Sequence, residues 1–291
     1  MNKILFHFLE NPSLAKSISQ FSGIRIGNAE FGRFPDGESK LRILEDLSGS
    51  EVYILCSLDH PDSKIVTLIF FCETARSLGA IKIHLIAPYL CYMRQDKIFR
   101  SGEGINAKIF ATLISRYIDS ILTIDPHLHR IHNLEEIFNV PSKVLHSTKL
   151  FAEYIQNNVS NPILIGPDSE SDQWVREVAD IYDFPFTVLE KNRTGDREVN
   201  ISMPKIEKYL NHTPVLIDDI ISTGKTLIQT ILHLKKMQMS PPVCICVHGI
   251  FADNSFQELM ENGVLVMITT NSIEHHSNAI DLGKLIADHK F

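Results

Sequence analysis

Residues 215–226, VLIDDIISTGKT, run from an apolar stretch into two adjacent acids and then into a small, hydroxyl-rich turn. If that turn opens a helix, its N–H groups and the hydroxyls of Ser222, Thr223 and Thr226 can wrap a phosphate monoester. Asp218 and Asp219 are then spaced to hold ribose hydroxyls or a metal ion. A capped helix with solvated acids is the plainer explanation, but two acids placed directly after an apolar strand weigh against it. The tail STGKT also imitates a nucleotide-binding P-loop, which needs a glycine five residues before Gly224. Asp219 stands there, and its carboxylate would crowd the phosphate cradle.

Other polar clusters stand where apolar runs end. Arg94-Gln95-Asp96 follows IKIHLIAPYL, Asp125-Pro126-His127 follows SILTI, and Gly166-Pro167-Asp168 closes PILIG. Arg suits phosphate recognition because its planar fork donates two parallel hydrogen bonds. RFPDGE (33–38) contains a Pro-Asp-Gly turn signal. EKNRTGDREV (190–199), with charges on both sides of a glycine, reads as a mobile surface loop.

The elements that must position these residues alternate. Strands are expected at 51–58, 81–90, 120–125, 162–166, 186–190, 214–218, 243–250 and 264–269. Between the first two, Ile65, Leu68, Ile69, Cys72, Ala75 and Leu78 recur at helical spacing. Further helices are expected at 106–117, 147–157, 172–182, 224–237 and 255–262. Such alternation predicts an α/β protein with mainly parallel sheets flanked by helices, whose ligands collect beyond the carboxyl ends of the strands. The expected domains are 1–143 and 144–291, divided near Pro141, with the amphipathic piece 280–289 packing back onto the first.

The composition narrows the partners. The chain has 291 residues, 44% hydrophobic and 22% charged, which is enough for two cores. A net charge of −7 without a Lys/Arg-rich run excludes the footprint of a nucleic-acid binder. Five scattered cysteines form no disulfide framework, and no apolar run is long enough to span a membrane, so a cytoplasmic protein is expected.

VLIDDIISTGKT resembles the ribose-5-phosphate loop of the phosphoribosyltransferase fold. RFPDGE, PYLCYMRQD (88–96) and TIDPHLH (123–129) precede it in the order found in PRPP synthetases, the ribose-phosphate diphosphokinases. The resemblance covers essentially the whole chain. It implies two phosphoribosyltransferase-like domains and a magnesium-dependent reaction in which ATP and ribose 5-phosphate give PRPP and AMP, feeding nucleotide biosynthesis.

By the same resemblance, Phe34, Asp36 and Glu38 reach the adenine pocket of a neighbouring subunit, so a homo-oligomer of at least a dimer is expected. Arg94, Gln95, Asp96 and His127 bind ATP, and His127 and Asp168 belong to the magnesium site. Asp218, Asp219, Ser222, Thr223, Gly224, Lys225 and Thr226 bind ribose 5-phosphate, while Lys191 and Arg193 close over the reacting phosphates as the catalytic pair. His129 matches no family role and is read as structural. Two departures stand out. Glu170, Ser171 and Asp172 replace the glycines expected after Asp168, and Lys225 replaces a small residue. The alternatives are a non-catalytic regulatory subunit, which would lose the loop cations or magnesium residues, and a phosphoribosyltransferase, which has no use for the first-half ATP motifs.

Overall fold

The computed structural model describes residues 2–8, 10–128, 130–168, 171–194, 198–202 and 206–289, with the side chains of residues 190–202 outside that description. In chain order the elements begin with β1 (Asn2–His7), α1 (Pro12–Ser22), β2 (Arg25–Ile26), β3 (Ala29–Arg33), β4 (Ser39–Ile43), β5 (Ser50–Leu55), α2 (Ile65–Ser77), β6 (Lys82–Ala87), α3 (Asn106–Ile114), β7 (Ser120–Ile124) and β8 (Ser142–Leu145). They continue with α4 (Thr148–Asn158), β9 (Pro162–Gly166), α5 (Asp172–Asp180), β10 (Phe186–Val188), β11 (Glu190–Thr194), β12 (Glu198–Ser202) and β13 (Thr213–Ile221). The last are α6 (Lys225–Lys236), β14 (Val243–Gly249), α7 (Ser255–Glu261), β15 (Val266–Thr270), β16 (Asn278–Ile280) and α8 (Gly283–Ala287).

Two compact units result. Unit 1 holds Met1–Leu145, Asn271–Glu274 and Asp281–Phe291, and unit 2 holds His146–Thr270 and His275–Ile280. In unit 1 a six-stranded parallel sheet runs β2-β1-β5-β6-β7-β8. Unit 2 repeats the plan as β10-β9-β13-β14-β15-β16, again all parallel. Each sheet has an antiparallel hairpin inserted at the same point of the chain path, β3–β4 in unit 1 and β11–β12 in unit 2.

Composition explains the sheets. β5 (SEVYIL) and β14 (VCICVHG) are buried along their whole length, as a strand covered on both faces must be, and so carry continuous apolar runs rather than alternation. Leu216, Ile217, Ile245, Leu227 and Leu259 are within 2% of complete burial. Each such side chain contributes roughly 1.5–3 kcal/mol over its exposed form. In unit 1, α8 packs on α1 so closely that a Cβ on Gly283 would meet the Ser17 side chain at 2.0 Å.

Three elements carry little hydrophobic signal. β1 lies inside its sheet although its run is short and ends in a histidine. The β3–β4 hairpin is half exposed, and β11–β12 forms where a loop is expected. Its ladder pairs Lys191 with Ile201 and Arg193 with Val199. Backbone hydrogen bonding builds the ladders of both hairpins, and in β3–β4 the Phe31 ring also packs against Phe8 and Phe71.

Candidate active site

In unit 2 the chain turns one way from β9 to β10 and the other way to β13 and β14, which opens a crevice at the carboxyl ends of β9 and β13. Pro167 and Asp168 leave β9 there, Asp218 and Asp219 stand near the end of the β13 ladder, and Ser222 to Gly224 leave β13 after Ile221. Gly224 caps α6 in the left-handed conformation, with φ +65°, and a Cβ on it would also meet Leu259 at 3.0 Å, so only glycine suits the position. Among the described residues no acceptor is found for the N–H groups of Ser222, Thr223, Lys225 and Thr226. Orphan donors at the start of a three-turn helix, with Thr223 and Lys225 exposed beside them, form a ready anion cradle.

The acids beneath this loop repel one another. The Asp218 carboxyl is pushed well above the ordinary carboxylate range, first by burial and then by the charges of Asp219 and Asp168. Their donor chemistry, hard carboxylate oxygens close together, fits magnesium. No three His, Cys, Asp or Glu side chains gather into a cage among the described residues. Magnesium commonly retains waters and takes its remaining ligands from one or two carboxylates and substrate phosphates.

In unit 1 the residues after β6 divide by environment. Arg94 is exposed and without an ion pair among the described residues. Gln95 accepts from Asn106 Nδ2 at 2.5 Å and, through its carbonyl, from the N–H of Ala107, so it anchors the first turn of α3. Asp96 is buried, and both its carboxylate oxygens accept from Arg130, at 3.0 and 3.2 Å. Arg130 thus ties the turn after β6 to the loop after β7. Sequence reasoning misses it because its partner lies 34 residues away.

After β7, Asp125 is buried and sits at φ +35°, an unusual conformation for a residue other than glycine, and His127 is half-buried. His129, Ser169 and Glu170 lie outside the described residues. Ser171 turns back onto the preceding loop, its hydroxyl donating to the Asp168 carbonyl at 2.6 Å.

At the tip of β3–β4 the N–H of Phe34 bonds the carbonyl of Glu38, at 2.8 Å, and Gly37 supplies φ +93°. The Glu38 N–H donates to Asp36 Oδ1 at 3.2 Å, so Asp36 stabilises the turn itself. Phe34 remains 49% exposed, with Lys40 Nζ 5.8 Å from its ring centroid. Lys191 and Arg193 sit two register positions apart on β11, their side chains outside the description.

Paired parallel units, one with orphan N–H groups and adjoining acids at the carboxyl ends of its strands, have the architecture of the phosphoribosyltransferase type. Residues 3–117 match the N-terminal domain of ribose phosphate pyrophosphokinase, and residues 133–283 match the phosphoribosyl transferase domain. The ribose-phosphate pyrophosphokinase of Methanothermobacter thermautotrophicus is 32% identical, with 96% of each chain covered. That of Methanosarcina acetivorans is 33% identical, with 89% of each covered. The phosphoribosylpyrophosphate synthetase of Mycobacterium smegmatis shares the fold, with a TM-score of 0.86 at 23% identity over 99% of this chain and 97% of that one. The chain belongs to the ribose-phosphate pyrophosphokinase family. Among the described residues no helix is long and apolar enough to cross a membrane.

Proposed function

We propose that this enzyme transfers the β,γ-diphosphoryl group of ATP to the 1-hydroxyl of ribose 5-phosphate, forming PRPP and AMP. The observation that carries the reading is the cradle at 222–226, with its orphan N–H groups beside Asp218 and Asp219, in a chain whose relatives are named for this activity. The 5-phosphate binds the N–H groups and hydroxyls of Ser222, Thr223, Gly224 and Thr226, with Lys225 adding a cation. Asp218 and Asp219 accept from the ribose hydroxyls and orient the 1-hydroxyl. Arg94 grips the ATP phosphates. Gln95 and Asp96 shape the turn that presents Arg94, with Asp96 held by Arg130.

The sugar oxygen attacks the β-phosphorus in line. A new O–P bond forms as the bond from that phosphorus to the α,β-bridging oxygen breaks and AMP leaves. Such a transfer needs positioning and charge neutralisation more than covalent catalysis. Lys191 and Arg193, delivered on β11, neutralise charge at the transferring phosphorus and exclude water. His127, among the ATP-binding residues, and Asp168 are each proposed as magnesium ligands, and the bound cation offsets the charge of the phosphate oxygens. Phe34, Asp36 and Glu38 serve the adenine site of a neighbouring copy, which makes a dimer the smallest active unit.

The test incubates the purified protein with ATP, magnesium and ribose 5-phosphate and quantifies AMP and PRPP. Equal yields of the two, each dependent on ribose 5-phosphate, support the reading. Absence of both would favour a regulatory subunit, and PRPP consumption with a nucleobase would favour a phosphoribosyltransferase.

A further inference from the structure

We propose that Ser255, on α7, is a positioning residue that aims the backbone N–H groups of the ribose-5-phosphate loop, an inference that rests on the reading of residues 222–226 as that loop. Ser255 is 3% exposed, and its hydroxyl donates to the carbonyl of Ser222 at 2.7 Å. The same carbonyl accepts from the N–H of Ala252 at 3.1 Å. One residue earlier, the carbonyl of Ile221 accepts from the N–H groups of Ile250 and Phe251, both at 3.0 Å. Four donors from the segment 250–255 therefore hold two consecutive carbonyls of the loop.

The consequence follows from peptide geometry. Among the described residues all the peptide bonds are trans. In a planar trans peptide the C=O of one residue and the N–H of the next point in opposite directions. Fixing the Ile221 carbonyl toward 250–251 turns the N–H of Ser222 away from that segment. Fixing the Ser222 carbonyl toward Ala252 and Ser255 does the same for the N–H of Thr223. These are two of the donors that have no acceptor among the described residues. The brace thus leaves them directed outward and preorganised, so a phosphate need not reorganise the loop on binding.

The brace is built under backbone strain. Phe251 and Asp253 adopt φ +46° and +55°, left-handed conformations that are uncommon for residues other than glycine. The Phe251 ring is held by Phe256 and His275, with centroids 5.2 and 4.7 Å away. Leu259, one helical turn beyond Ser255, closes against Gly224. A residue 33 positions away in the chain thereby acts on substrate only through Ser222, by the direction in which its neighbour's N–H points.

The experiment compares Ser255→Ala and Ser255→Thr with the wild type in KM for each substrate and in direct calorimetric binding of ribose 5-phosphate. Loss of one hydrogen bond to the loop should raise KM and Kd for ribose 5-phosphate about threefold to tenfold in Ser255→Ala. KM for ATP should stay unchanged, and Ser255→Thr, which keeps the hydroxyl, should restore most of the affinity. Unchanged ribose 5-phosphate affinity in folded Ser255→Ala would overturn the inference, as would an equal rise in both KM values. Should Ser255→Ala not fold, Ser255→Gly measured against Ser255→Thr gives the same contrast. Thr226→Ala separates the two claims: if it also leaves ribose 5-phosphate binding intact, the loop itself has been misassigned. If it weakens binding while Ser255→Ala does not, only the role of Ser255 is wrong.

Discussion

The two units have the same strand order and an inserted hairpin at the same place, yet their crevices are furnished in opposite ways. In unit 2 the helix after the second crevice strand is capped by Gly224, and the N–H groups around it lack acceptors among the described residues. In unit 1 the corresponding cap, before α2, is Lys64, 10% exposed at its side chain. Its ammonium donates to Asp59 at 2.8 Å, to the carbonyl of Ser57 at 2.9 Å and to Glu10. Burial works against that charge, but the bonds to Asp59 and Glu10 outweigh it and raise the Lys64 pKa. Ser57 donates to the carbonyl of Ser272, and Asn11 Nδ2 to that of Asn271 at 2.7 Å, so the chain's own segment Asn271–Glu274 covers the rest of this crevice. A fold therefore supplies a place for a ligand, and the residues at a few strand ends decide whether a substrate or the protein fills it. In the proposed function, unit 1 uses the loops after β6 and β7 instead.

The sharpest way to break this comparison is at the inserted hairpins. If both cations act mainly in the transition state, as proposed, replacing Lys191 and Arg193 together with Ala should lower kcat by about a hundredfold to a thousandfold. The melting temperature should barely move, since surface substitutions typically stay within roughly 0.5 kcal/mol. Wild-type turnover in a stable double variant would reduce β11–β12 to an ornament of the fold.

The filled crevice predicts a stability effect in place of a kinetic one. Lys64→Met leaves Asp59 buried without its cation, at a cost on the order of 3 kcal/mol. That corresponds to about 5–10 °C in Tm for a unit of this size. KM for ribose 5-phosphate should not change. A selective loss of substrate affinity would mean that the crevice of unit 1 also serves a ligand.

Asp218→Asn should act in the reverse sense. Because the folded state holds the Asp218 carboxyl above its unfolded pKa, its contribution to stability is fully present below the ordinary carboxylate range and is lost as pH rises through the folded value. The Asn variant should lose that slope and melt slightly higher than wild type at neutral pH, while its turnover with ribose 5-phosphate falls. A thermal shift series over pH checks both parts. A variant less stable at every pH would show that the carboxylate is compensated.

Much of this organisation is legible from residues alone, for an identifiable reason. The apolar runs of β9 and β13 give way abruptly to Gly-Pro-Asp and Asp-Asp, so the strand and the chemistry beside its end are written locally, although β13 runs on through both acids to Ile221, past the expected end at 218. β3 and β4 are not legible in the same way. Half of their residues are exposed, the inward face of Ala29, Phe31, Leu41 and Ile43 is too short to stand out in the sequence, and only the Pro-Asp-Gly turn betrays them. β11–β12 looks like a loop because most of its residues are charged or polar. α1 is easily passed over because Leu14, Ala15 and Ile18 are its only buried residues. Arg130, Lys64 and Ser255 carry no local signal, since each acts through a partner that folding brings near, and a serine opening a short helix looks like any other.

The central claim is the division of labour between the two units, and one crossed measurement tests it: KM for ATP and for ribose 5-phosphate in Arg94→Ala and in Thr226→Ala, with both proteins checked for wild-type melting. Arg94→Ala should raise KM for ATP about tenfold to a hundredfold, on the order of the 1.5–3 kcal/mol of a hydrogen bond to a charged group, and leave that for ribose 5-phosphate alone. Thr226→Ala should do the opposite. Crossed effects, or both variants shifting both constants equally, would contradict the assignment of nucleotide to unit 1 and sugar phosphate to unit 2.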